Sequence, residues 1–71
     1  MPQYAGLTDD LQRRKAEHGD PVDWQEVGPF QAEQQARDWE DEKHRQGFLG
    51  DGGGAGWKYG YTYPVTAQTR E

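Results

Sequence analysis

From Trp57 to Val65 the chain alternates without a break. Trp57, Tyr59, Tyr61, Tyr63 and Val65 fall on one side of an extended backbone, and Lys58, Gly60, Thr62 and Pro64 on the other. A period of two marks a half-buried strand. The segment therefore predicts a β-strand with an aromatic stripe, and the stripe constrains the fold because so little else can build a core. The chain has no Ile, only three Leu and three Val, and hydrophobic residues are 31% of its 71 positions. Nine aromatic residues must supply most of the interior, each able to bury roughly 150–250 Å². Low hydrophobicity with a net charge of −5 leans toward disorder, but this many rings argue for a small folded domain near the lower size limit. The stripe is expected to pack beneath a helix and form the core.

That helix is predicted over residues 31–46, QAEQQARDWEDEKHRQ. Ala32, Ala36, Trp39 and the stem of Lys43 share one face at helical spacing, so the two alanines would let the helix approach the strand and Trp39 would supply area. Its start has no Ser, Thr, Asp or Asn cap, only a weak Gln31–Gln34 capping box. Gly47 ends it, with Phe48 placed for the apolar contact of a glycine stop. Glu33–Arg37, Glu40–His44 and Asp41–Arg45 are acid-first pairs at i,i+4.

A first, shorter helix is expected over about 9–18, with Thr8 as N-cap, Asp9 and Asp10 in the first turn, and Arg13, Arg14 and Lys15 late. Gly19 and Pro21 close it. Leu7, Leu11 and Ala16 are its packing residues. Residues 22–27, VDWQEV, read as a strand ended by Gly28-Pro29. The expected fold is a small α+β single domain over 1–71, ordered helix–strand–helix–strand. Residues 49–56 form a Gly-rich loop, and residues 1–6 and 67–71 are frayed ends. Two strands are few for a stable sheet. The Tyr4 region is one source of a third, and a symmetric dimer joining edge strands is another solution.

Charge is unevenly spread. Residues 20–46 carry eight acids against Arg37, Lys43 and Arg45, and the flanking segments are balanced. An acidic chain lacks the Lys and Arg that give nucleic-acid binding its affinity, so nucleic acid is an unfavoured partner and a basic protein surface a better one. Asp38, Asp41 and Glu42 are the candidate acidic contact residues. With neither Cys nor Ser, disulfides, thiolate metal sites and the usual acyl-transfer nucleophiles are missing. His18 and His44 fall near the ends of the two helices, in polar surroundings and without zinc-site spacing. The glycine loop follows a helix and precedes a strand, the reverse of a phosphate-binding loop. The sequence thus points to a non-enzyme with no metal or cofactor. No apolar run matches a membrane span or signal core, so the expected location is the cytoplasm, with Met1 as the true start.

Trp57, Tyr59, Tyr61 and Tyr63 are also candidate interaction residues. Spaced about 6.6–7 Å apart along a strand, they could stack on bases. Lys58-Tyr59-Gly60-Tyr61 is distantly similar to the stacking strand of RNA-recognition and cold-shock domains, without the Gly between the basic and first aromatic residue. A second resemblance covers a third of the chain. In the segment from Trp24 to Phe48, residues Val27, Gly28, Pro29, Phe30, Ala36, Gly47 and Phe48 match the pattern of one half of a SPOR domain. That resemblance implies a strand–helix–strand unit and, for the family, binding of peptidoglycan glycan strands in the cell envelope. This chain is too short for the two halves such a domain pairs, and no export signal is expected from its sequence. Two functional expectations follow: an adaptor or inhibitor that binds an unidentified protein through its acidic residues, or a ligand-binding module, for glycan or single-stranded nucleic acid, that uses the aromatic strand.

Overall fold

A computed structural model describes residues 2–50 and 56–67. The element order is β1 (Gln3–Thr8), α1 (Leu11–Glu17), β2 (Gln25–Val27), α2 (Glu33–Arg45) and β3 (Tyr59–Pro64). The three strands form one antiparallel sheet in the order β1-β3-β2, so the aromatic strand is central. The α+β class is as expected, and the third strand comes from the Tyr4 region. The expected fraying of residues 1–6 is corrected over Gln3–Gly6. These residues pair with β3, and Tyr4, Ala5 and Gly6 are buried, because a central strand needs two neighbours and Tyr4 adds a ring to the core. Residue 67 is exposed, while residues 68–71 and most of the glycine loop (51–55) lie outside the described residues.

Register assigns every side chain to a face. Tyr4, Gly6 and Thr8 of β1 stand opposite Tyr63, Tyr61 and Tyr59 of β3, so these residues share one face. Ala5 and Leu7 stand opposite Thr62 and Gly60 on the other face. Helix α2 packs on this second face, against β1 and β3. A Cβ on Gly60 would lie 2.7 Å from the Trp39 ring, and Ala36 and Ala5 are fully buried. The expectation that the stripe lies beneath α2 is therefore corrected. Trp39 rests on Gly60, where the missing side chain leaves room for its indole, and the tyrosines project from the opposite side.

Both helices end as their sequences require. Gly19 and Gly47 take the left-handed conformation, at φ 85° and 98°. Around them Gly19 N–H donates to the Ala16 carbonyl and Asp20 N–H to Lys15, while Gly47 N–H donates to His44 and Phe48 N–H to Lys43. This is the paired Schellman bonding that satisfies the last carbonyls. Starts are shifted. Asp10, not Thr8, caps α1, its carboxylate accepting from the Arg13 N–H at 3.0 Å. Thr8 is held in β1, and Ala16 is exposed. Helix α2 begins after Ala32, with no side-chain cap, which leaves Ala32 exposed rather than on the packed face. Glu40 takes an inward position instead, at 4% exposure. The second strand is confined to Gln25–Val27, and Val22 is 71% exposed.

Candidate functional site

On the face away from α2 the side chains form one aromatic cluster with a polar centre. Tyr61 and Tyr63 are 1% and 0% exposed. Their rings are nearly coplanar in orientation, with centroids 6.3 Å apart. Tyr4 stacks on Tyr63 from β1 at 5.2 Å, and Trp24 stacks on Tyr61 from just before β2 at 4.6 Å. The rings thus run across all three strands. Gly6, opposite Tyr61, makes room for this: a Cβ there would lie 2.6 Å from the Tyr61 Cζ.

Buried tyrosine hydroxyls need hydrogen-bond partners, and His18 supplies them. The imidazole follows the last turn of α1 and is 3% exposed. Its Nε2 lies 3.0 Å from the Tyr61 hydroxyl and its Nδ1 2.8 Å from that of Tyr63. Arg14 Nη2 donates to the Tyr61 oxygen at 3.2 Å, and Arg14 Nη1 to Glu17 at 2.8 Å. Burial pushes the Tyr61 hydroxyl pKa up, with Arg14 acting against it. For Arg14, burial lowers the pKa, but the bonds to Tyr61 and Glu17 outweigh it and the net direction is upward. The expectation that His18 sits in polar surroundings is corrected: it is the hub of the aromatic cluster. A signal for it existed in the sequence. Two buried tyrosines demand partners, and the chain holds only two histidines.

The predicted stripe is split by this arrangement. Tyr61 and Tyr63 are inside, whereas Trp57 and Tyr59 are half-buried near the start of β3. There the Asp9 carboxylate accepts the backbone N–H groups of Trp57 and Lys58, each at 3.1 Å, tying the entry of β3 to the end of β1. Lys58 lies over the Trp57 ring at 5.9 Å.

The predicted acidic residues are on α2, against the opposite face of the sheet. Asp38, Asp41 and Glu42 are all exposed. Asp38 accepts a bond from Gln34 at 2.9 Å, and Glu42 pairs with Arg45 at 3.2 Å. Arg45 was expected to pair with Asp41; in the structure its partner is Glu42, three residues back instead of four. Glu33–Arg37 forms as expected, at 3.2 Å. The structure therefore does not bring the stripe and the acidic residues together.

Glu40 and His44 were expected as a surface pair, yet both face inward. Burial pushes the Glu40 pKa up, while His44 and Arg37 draw it down. Its Arg37 contact is loose, at 3.7 Å. His44 Nε2 is buried without a hydrogen-bond partner among the described residues. Lys43 runs over the Trp39 and Phe48 rings at 6.0 and 5.1 Å, so its stem packs as the helical spacing implied.

Among the described residues no cluster of three or more His, Asp or Glu is placed to hold a metal ion, and no helix is long and apolar enough to cross a membrane. The chain matches no family model, no curated protein and no solved structure.

Proposed function

We propose that this protein is a small non-enzymatic interaction module, an adaptor or inhibitor, that docks a basic surface of a protein partner through the outer face of α2. The observation that supports this reading is the exposure of Asp38, Asp41 and Glu42 on one helix whose inner side is committed to the sheet. Carboxylates so placed steer a basic partner and set its orientation. Use of the aromatic strand as a stacking platform is the less favoured reading, because Tyr61 and Tyr63 present no free ring face.

Charge reversal tests the proposal. With Asp38→Lys, Asp41→Lys and Glu42→Lys combined, cross-linking in host extract should no longer yield the partner that wild type captures. The circular-dichroism spectrum should stay unchanged, since all three side chains are solvated. Capture that survives the reversal, with the same cross-linked residues, would remove the acidic face from the mechanism.

A further inference from the structure

We infer that the outer edge of β2 is a docking site for an extended, basic segment of a partner protein, which joins the sheet as a further strand antiparallel to β2. This site is separate from the acidic face of α2 and stands whether or not that face binds. The hydrogen bonds fix which backbone groups point outward. Leu49 N–H donates to the Gln3 carbonyl at 2.7 Å and Ala5 N–H to the Leu49 carbonyl at 2.8 Å, so Gln3 and Ala5 face away from β3. Backbone groups alternate between the two sides of a strand. Tyr4, Gly6 and Thr8 therefore bond to Tyr63, Tyr61 and Tyr59, and Thr62 and Gly60 turn to Gln25 and Val27 of β2. Phe30 N–H donates to the Lys58 carbonyl at 2.7 Å, in the same alternation. Glu26, between Gln25 and Val27, directs its own N–H and carbonyl away from the sheet.

The two edges of the sheet differ. Leu49 covers that of β1, as a parallel bridge to Tyr4. At the edge of β2 nothing among the described residues pairs with the Glu26 backbone, and Gln25, Glu26 and Val27 are all exposed. An open edge is a template for another strand. In an antiparallel pair one residue opposite Glu26 exchanges both hydrogen bonds with it.

Side chains select the occupant. Glu26 stands opposite Tyr61, so its carboxylate lies on the tyrosine face, where Trp24 Nε1 donates to it at 3.0 Å. Among the described residues no cation pairs with it. From His18 to Ala32 the chain holds three acids, Asp20, Asp23 and Glu26, and no Lys or Arg. A Lys or Arg opposite Glu26 is favoured, because opposite charges across a strand pair attract. A second copy is not. Two-fold pairing of β2 with itself about Glu26 would set two carboxylates opposite one another, with Cα atoms about 5.5 Å apart, where like charges repel.

The neighbours of the basic residue would fall on the α2 face, beside Gln25 and Val27. Helix α2 packs on β1 and β3, which leaves this side of the sheet open. Val27 is opposite Gly60, on which Trp39 rests, and Phe30 meets the Trp39 ring at 5.9 Å. Phe30 and Trp39 are only half-buried. The segment that fits therefore alternates basic and apolar residues.

Two capped synthetic peptides test this on the isotope-labelled full chain, one alternating Val and Lys, the other Val and Glu. At millimolar concentration the Lys peptide should shift the amide resonances of residues 24–28 and slow hydrogen exchange at the Glu26 N–H. The Glu peptide should do neither. Glu26→Lys should weaken binding of the Lys peptide about tenfold, while Glu42→Lys, the same change of charge on α2, should leave it unchanged. No binding, shifts confined to α2, equal binding of both peptides, or equal losses in the two variants would overturn the edge site. Glu26 protection that grows with protein concentration in the absence of peptide would make the occupant a second copy and overturn the basic segment.

Discussion

On one face of the sheet Tyr4, Tyr61 and Tyr63 lie beneath a seven-residue helix that buries no residue of its own. On the other, Ala5 and Gly60 lie beneath a 13-residue helix that buries Ala36 and Glu40. Both faces close a core with almost no aliphatic side chains, by opposite means. The tyrosine face uses large rings and satisfies their hydroxyls through His18. The α2 face removes side chains so that a helix backbone and one indole can approach closely. The first route depends on hydrogen bonds that must all be made. The second depends on volume that must stay empty. Each face should therefore fail to a different kind of substitution.

The largest effect is expected at the tyrosine face. Tyr61→Ala removes the ring stacked on Trp24 and leaves Arg14 and His18 Nε2 without their shared partner. Truncation of a buried aromatic costs about 3–5 kcal/mol, comparable with the whole stability of a chain this size, roughly 4–10 kcal/mol. Urea denaturation should show a protein largely unfolded in buffer. A cooperative transition close to that of wild type would mean that the cluster is not the core.

A smaller loss is expected on the opposite face from adding a single methyl. In Gly60→Ala the new Cβ would meet the Trp39 ring at 2.7 Å and push the helix outward, with a cost of about 1–3 kcal/mol typical of overpacking. The same substitution on a solvated strand position would be nearly silent. A midpoint that does not move would show that the indole can swing aside, and the contrast between the faces would weaken.

The smallest effect should come from Glu40→Gln, and it should be a gain. Burial holds the Glu40 pKa above the ordinary carboxylate value, so the folded state binds that proton more tightly than the unfolded chain. Stability from this group is complete below the unfolded value of about 4.3 and declines as pH rises through the folded value. Glutamine should therefore raise stability at pH 7 by about 1 kcal/mol and remove that part of the pH dependence. Thermal melts at pH 7 and pH 5 check it: the difference between variant and wild type should shrink at the lower pH.

Much of the fold was legible in local signals. The alternation from Trp57 to Val65 marked β3, the spacing of Ala36, Trp39 and Lys43 marked α2, and Gly19 and Gly47 marked where each helix stops. These are properties of neighbouring residues. The candidate site was less legible because its members are remote in sequence: His18 touches Tyr61 and Tyr63 across more than forty residues. Asp38, Asp41 and Glu42 are exposed on α2, as expected where a helix that buries one stripe must expose another. Glu40 escaped the same logic. At that position the inward face of the helix received a carboxylate where the periodicity asked for an apolar side chain.

The sequence by itself determined that this chain would be a small α+β unit with an aromatic interior. So few aliphatic residues leave no other material for a core, and periodicity and glycine stops are local physics. Only the tertiary structure decided which face of β3 each helix would cover. Gly60 and Tyr61 are adjacent in the chain but point to opposite sides, and either side could have received α2. Shape made the choice: the long helix went to the face where Gly60 and Ala5 leave space, and the tyrosines went to the face where a histidine could reach their hydroxyls.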